Sequence, residues 1–488
     1  MRVLYIDIDS LRPDHLGCMG YHRNTSPCID QVAAEGVRLS GVFAPDAPCL
    51  PSRTAFFTGR PGIITGVVNH GGLMSDIAPQ GASRSFRANM SEETLAACLR
   101  KAGVYTCSIS PFPNRHSAYQ VWHGFHETHD TGGGGLDNAD HVFPYAERWL
   151  RSRGQEDNWF LHVNFWDPHT PYDAPSEFGN PFADDPIDPW LTQEIIDAQN
   201  ASYGPHSAHE VPGLDEVMSP RATLGVGRVK DLADAKAHRD GYDTGIRYVD
   251  GYVGRLMELL KELGIEEETA VIISSDHGEN QGELNVWGDH QTADLITCRI
   301  PLIIKWPGRT DALMGRESSG FYYNFDLSAA LIEWMGGRVP DSWEGRALFL
   351  EGGGRSGLVV SQGAWSCQRS VRWDRWILIR TYHTGWKEFP EYMLFDAEDD
   401  PHQTQNLAPA RPDLVGHGLK LLDQWMGDMM GKGLRGDPFW TVVQEGGPHH
   451  ANDHDPALPA YIQRLRETGR TGKADQLERL KGRPVPLE

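Results

Sequence analysis

Residues 3–9, 104–109, 159–166 and 269–275 are short, β-branched-rich runs with little polar alternation, the pattern of strands buried on both faces of a sheet. Stretches with helical spacing lie between them, at 25–34, 92–102, 137–151 and 237–263. Buried strands alternating with helices predict an α/β fold, and nothing else in the chain constrains the architecture as much. In such sheets ligands bind beyond the carboxyl ends of the strands, so chemistry is expected from the residues found there.

The first run ends in Asp7-Ile8-Asp9-Ser10. With a side-chain period of two, Asp7 and Asp9 point to one face. Two carboxylates there are costly unless a cation neutralises them. The alternative is that Asp9 caps the following turn and Asp7 pairs with a base. The run 269–275 ends in Asp276-His277-Gly278, one carboxylate and one imidazole suited to a hard or borderline divalent cation. The run 159–166 leads into Asp167-Pro168-His169-Thr170-Pro171, where two prolines hold His169 on a stiff loop.

Cys49-Leu50-Pro51-Ser52-Arg53 follows the predicted strand at 37–43. Pro51 suits the first turn of a helix, which puts Cys49 just ahead of the helix N-terminus. Free N–H groups and the helix dipole favour an anion there. Such a position lowers a thiol's pKa and would equally hold a sulfate or phosphate group. Arg53, one turn on, can reach back with a planar fork of donors. On these residues alone, a buried cysteine beside a Pro-started helix explains the pattern equally well.

The continuation Thr54-Ala55-Phe56-Phe57-Thr58-Gly59-Arg60 decides between them. Cys-x-Pro-Ser-Arg followed by Thr-Gly-Arg resembles the signature of the type I sulfatases of the alkaline phosphatase superfamily. The resemblance implies an alkaline-phosphatase-like sandwich: a large central mixed sheet flanked by helices, plus a smaller C-terminal α/β subdomain. It also implies that Cys49 is oxidised by a formylglycine-generating or equivalent maturation enzyme, and that the aldehyde hydrate attacks the ester. Asp9 matches the family's first metal-binding Asp, and Asp276 with His277 the later metal pair. Ser10 stands where many sulfatases have a second Asp, with Asp7 the candidate replacement. His169 matches the substrate-binding histidine. Downstream, Tyr392-Met393-Leu394-Phe395-Asp396, Asp399-Asp400-Pro401 and Asn406-Leu407 resemble the family's C-terminal segment.

Two departures bear on substrate. Where the family has Gly-Lys-Trp-His, this chain has Ser110-Pro111-Phe112-Pro113-Asn114-Arg115-His116. Arg115 and His116 either take over the anion contact or are surface residues. In Trp287-Gly288-Asp289-His290, Asp289 replaces the family's sulfate-binding lysine, and His290 would help if protonated. Asn69 and His70 are further pocket candidates. The expected mechanism is in-line attack by the formylglycine hydrate, with one divalent cation polarising the sulfuryl or phosphoryl oxygen. Arg53 holds the nucleophile, and His169 or His290 protonates the leaving oxygen. The resemblance makes calcium the expected cation, with manganese or magnesium as alternatives. A small-molecule or saccharide sulfate ester is the expected substrate. Phosphonate monoesters or phosphodiesters are the alternative, because His277 is more like the phosphonate monoester hydrolases.

The net charge of −22 argues against nucleic acid or an anionic membrane as partner. Seven cysteines without framework spacing fit a reducing compartment. With residues 1–7 entering a strand at once and no secretory stretch visible, a cytoplasmic location is expected. A homo-oligomer is compatible with all of this. The expected organisation is a catalytic domain over 1–355, carrying an insertion at about 176–235 where periodicity is lost. A small sheet-and-helix subdomain over 356–430 and a surface-packed tail over 431–488, with one helix at 457–466, complete it.

Overall fold

The computed structural model describes residues 1–78, 92–211, 227–348, 353–433, 436–444, 447 and 458–480. The predicted glycine-rich break around 352–357 therefore lies partly outside the described residues.

The main sheet runs, in spatial order, Glu317–Ser318, Val37–Phe43, Arg299–Lys305, Thr269–Ser274, Arg2–Ile8, Trp159–Phe165, Tyr105–Ile109 and Glu127–His129. Tyr322–Tyr323 also pairs with Val37–Phe43. The sheet is mixed because Arg299–Lys305 runs antiparallel to both its neighbours. Arg2–Ile8 lies at its centre, parallel to Trp159–Phe165 and Thr269–Ser274, with Asp7 in register with Asn164 and Ser274. All seven residues of Arg2–Ile8 are buried, as are those of its two neighbours, which is why these runs carry so little polar alternation. One apolar core, including Leu50, Phe56, Phe57 and Leu331, fills one face. A second, including Leu4, Leu161, Trp149 and Leu256, fills the other.

The helix Cys49–Thr58 has every residue buried. It starts at Cys49 itself, two residues before the position that Pro51 suggests, because Pro48 serves as its cap and accepts from Ser52 N at 3.0 Å. It stops at Gly59, whose φ of 68° is left-handed, and a Cβ there would overlap Trp343. The expected strands and helices appear within a few residues of their predicted bounds.

The second sheet is Tyr392–Asp396, Trp376–His383, Cys367–Trp373, Gly357–Gln362 and Asp46–Ala47. The helix Pro412–Met430 packs on it through Leu422 and its neighbours. Its last strand comes from the N-terminal part of the chain: Asp46 and Ala47 pair with Ser361 and Gln362. The segment leading into the Cys49 helix is thus stitched to both sheets.

The stretch expected to be without periodicity contains structure. Thr192 caps a helix at Gln193–Asn200, and Asp231 caps the long helix Leu232–Glu262, five residues earlier than its apolar spacing indicates. Leu191, Ile196, Ala208, Val211, Val229, Ala235 and Trp287 form a small core of their own. Among the described residues beyond 431 there are three helices, Pro438–Gln444, Leu458–Glu467 and Thr471–Leu480, where the sequence predicts one. No helix among the described residues is long and apolar enough to cross a membrane.

Candidate active site

The carboxyl ends of the central strands converge on the N-terminus of the Cys49 helix. Asp9, Cys49, Asp276 and His277 each offer one ligand atom, and these atoms lie within 4.8 Å of one another. All four are buried, and Cys49, His277 and His290 form an overlapping group. His277 Nδ1–H donates to the carbonyl of Gly278 at 2.9 Å, so Nε2 presents its lone pair to Cys49 Sγ, 3.0 Å away. Gly278 has to be glycine, since a Cβ would run into the Ile296 carbonyl.

Arg53 sits one turn after Cys49 and gathers three carboxylates. Its guanidinium contacts Asp7, reaches Asp9 at 2.9 Å and reaches Asp276 at 3.0 Å. Ser52 Oγ donates to the Asp276 carbonyl at 2.6 Å and receives Asn324 Nδ2 at 3.0 Å, which locks the helix to the strand end. Ser10 donates from its backbone to Asp276 at 3.2 Å and from its hydroxyl to Asp9 at 3.1 Å.

Asp7 stands behind this group. It is paired with Arg53 and with His162 Nε2 at 3.2 Å, and the grouping of four donors does not include it. Burial raises its pKa, but Arg53 and His162 outweigh burial and hold it below the ordinary carboxylate value. His162 is itself oriented by Ser108 Oγ, 2.9 Å from Nδ1. His162 is invisible in the sequence, because one histidine inside an apolar strand carries no signal until the register with Tyr5 and Ser108 is known.

Burial and the neighbouring Asp276 push Asp9 up to about 6, against the pull of Arg53 and His277. Burial, with Asp9 and Asp276 behind it, likewise pushes the Cys49 thiol well above its ordinary pKa. One guanidinium is insufficient for three buried carboxylates, and a divalent cation among two carboxylates and an imidazole would complete the charge balance. The donor set therefore fits a metal ion.

Around Cys49 the other predicted residues come together. The Arg115 guanidinium lies 3.9 Å from the Trp166 ring centre, and its Nη1 is buried without a hydrogen-bond partner. Trp166 also stacks on His169, with ring centres 4.0 Å apart. His169 Nδ1–H donates to the Thr170 carbonyl, so Nε2 is the nitrogen left for the pocket. His290 lies 5.3 Å from His169 and 4.4 Å from His277, ring centre to ring centre. Burial lowers the pKa of both His169 and His290, and Arg115 adds to the effect.

Leu50 N donates to His70 Nε2 at 3.3 Å, and the His70 and His116 rings are 4.6 Å apart. Asn69 is buried beside them, its Oδ1 accepting from His70 N at 2.7 Å. Asp289 is engaged by its neighbours on both oxygens. One oxygen accepts from His290 N at 2.6 Å and the other meets His206 Nε2 at 2.8 Å. His206 and Trp365, neither foreseen from sequence, border His290 from the insertion and from the second sheet.

The sequence profile described as Sulfatase matches residues 2–337. The chain is 27% identical over 389 residues to iduronate 2-sulfatase of Homo sapiens, covering 74% of this chain and 70% of the relative. A solved structure in complex with D-glucosamine-2-N,6-O-disulfate superposes with a TM-score of 0.68 at 16% identity, covering 88% of this chain and 98% of that one. The phosphonate monoester hydrolase of Agrobacterium radiobacter superposes with a TM-score of 0.64 at 22% identity, covering 86% and 95%.

Proposed function

We propose that this chain, which belongs to the sulfatase family and is a sulfuric ester hydrolase, acts on sulfate esters of saccharides or other small alcohols in the pocket above Cys49. The observation that carries the proposal is the convergence of Asp9, Cys49, Asp276 and His277 beneath the unpaired Nη1 of Arg115. Sugar sulfates are favoured as substrates because the relatives include iduronate 2-sulfatase.

A divalent cation held by Asp9, Asp276, His277 and the residue-49 side chain would polarise a sulfuryl oxygen and acidify the nucleophile. Calcium is the first candidate by family likeness, with manganese or magnesium next. Oxidation of Cys49 to formylglycine would supply a hydrated aldehyde as nucleophile, whereas the unmodified thiol, held protonated by burial, is a poor one.

The chain's own residues do the rest. Arg53 fixes Asp9 and Asp276 in place. Arg115 presents a free N–H to the ester's oxyanion in the place of the family's pocket lysine. His70, which accepts from Leu50 N, carries Asn69 and His116 beside it at the start of the same helix. An anion bound beside His169 and His290 draws a proton onto one of these neutral rings, which can then pass it to the departing oxygen.

A second reading keeps this machinery and exchanges the sulfate for a phosphonate monoester or phosphodiester. His277 in the donor set and Asp289 at the lysine position favour it. The test is the mass of the Cys49 peptide from protein matured in a competent host, followed by kcat/KM on aryl sulfate, phosphonate and phosphodiester substrates. Conversion of Cys49 with sulfate preferred supports the first reading, and conversion with phosphorus esters preferred supports the second. A persistent thiol without turnover overturns both.

A further inference from the structure

The C-terminal helices reach the site through one carboxylate. Glu210, in the insertion, is fully buried. Arg464 Nε, from the helix Leu458–Glu467, lies 2.8 Å from its Oε1. Arg470, just before the helix Thr471–Leu480, reaches both of its oxygens, with Nη1 3.2 Å from Oε2. Gly204 N donates to the same Oε2 at 3.0 Å, so the loop 203–211 is wound around this carboxylate.

That loop in turn holds the active-site segment 282–290. The His206 carbonyl accepts from Trp287 N at 2.8 Å, and Asn285 Oδ1 accepts from Ala208 N at 2.9 Å. His206 Nε2 meets Asp289 at 2.8 Å, and Asp289 accepts from the backbone of His290. Lys387 ties the same two segments together, donating to the Pro205 carbonyl at 3.1 Å and the Asn285 carbonyl at 2.7 Å. Lys473 then returns to the C-terminal helices, donating to the Trp386 carbonyl at 3.1 Å. Trp365, which lies against His290, and His206 are both mostly buried with one edge exposed, and their ring centres are 5.7 Å apart.

We propose that Glu210, Arg464 and Arg470 are positioning residues: the C-terminal helix pair fixes the His206 loop, and through it the His206–Trp365 wall against which the substrate's leaving group rests. The proposal rests on the sulfatase reading for its substrate and on contacts alone for its mechanics. A small aryl leaving group needs little of that wall, whereas a sulfated disaccharide extends along it. The clasp thus sets leaving-group selectivity, and its loss would change the ratio between substrates.

The test uses matured full-length enzyme carrying Glu210→Gln, Arg464→Ala, Arg470→Ala or Arg470→Lys. Hydrogen exchange is followed in peptides covering 203–211 and 282–290, and kcat and KM are measured for an aryl sulfate and a sulfated disaccharide. The expected result is exchange about tenfold faster in both peptides with the central strands unchanged. The disaccharide-to-aryl ratio of kcat/KM is expected to fall about tenfold, mainly through KM, with Arg470→Lys partly restored. Glu210→Gln keeps the side chain's shape and serves where an arginine variant does not fold. Faster exchange confined to 203–211, or an equal loss on both substrates that follows Tm, overturns the proposal. If the wild type cleaves no sulfate ester, the functional reading fails, and exchange at 282–290 still decides whether the clasp acts on the site.

Discussion

Cys49 Sγ lies 3.0 Å from His277 Nε2, two residues 228 positions apart in the chain. The Gly278 carbonyl fixes the tautomer of that histidine. A lone pair is thereby aimed at the Cys49 sulfur, in a group whose other members are Asp9 and Asp276.

Removing this imidazole should loosen the metal. His277→Ala is expected to lose about 10- to 100-fold in metal affinity. Elemental analysis after dialysis against a chelator, with activity regained on adding calcium, manganese or magnesium, measures the loss and identifies the ion. Metal content equal to wild type would show that His277 is not a ligand.

Arg115 should act through substrate binding. Arg115→Ala is expected to raise KM for the sulfate ester at least tenfold, the loss of one charge-assisted hydrogen bond at about 1.5–3 kcal/mol. Trp166→Ala should move KM in the same direction, because the guanidinium rests on that ring. An unchanged KM in both variants would show that Arg115 does not contact the substrate.

His238 gives a stability test in acid. Burial holds this imidazole down to about 4, opposed by its hydrogen bond to Gln281. The folded pKa lies below the unfolded value of about 6.5, so between these limits the unfolded chain binds more protons. Its contribution is complete above pH 6.5 and is lost as pH falls toward 4. At about 1.4 kcal/mol per unit over roughly 2.5 units, the loss reaches at most about 3.5 kcal/mol. Denaturation at pH 7 and pH 4.5 should show a smaller acid loss in His238→Gln than in wild type, and equal losses would contradict the assignment.

Gly59→Ala should destabilise the protein by about 2–4 kcal/mol, because it combines a left-handed φ with overlap on Trp343. A lowered Tm with the nucleophile's chemistry intact is expected. A Tm within a degree of wild type would mean that Trp343 has room to move.

The fold class was legible in the chain because it rests on local signals, whereas the candidate site was read from strand ends together with the resemblance of Cys49 to Arg60 to the sulfatase signature. Buried parallel strands write themselves as unbroken apolar runs, and the residues closing 3–9 and 269–275 had to lie at one edge of the sheet. Cys49 and Arg53, four residues apart on one helix, were bound to share a face. The helix Gln193–Asn200 escaped notice because its apolar signal is little more than Ile195 and Ile196 among polar residues.

Tertiary structure alone decided the pairings. Asp7 and Asp9 point to one face and both meet Arg53, yet Asp7 pairs with His162 while Asp9 joins Cys49, Asp276 and His277. Asp289 occupies a lysine's place and is turned toward His206 in the insertion. Glu210 meets its arginines across 254 and 260 residues. Local spacing determines which way a side chain leaves the backbone. Which buried charge it then meets depends on how distant segments pack, where the desolvation of an unpaired ion selects the partner.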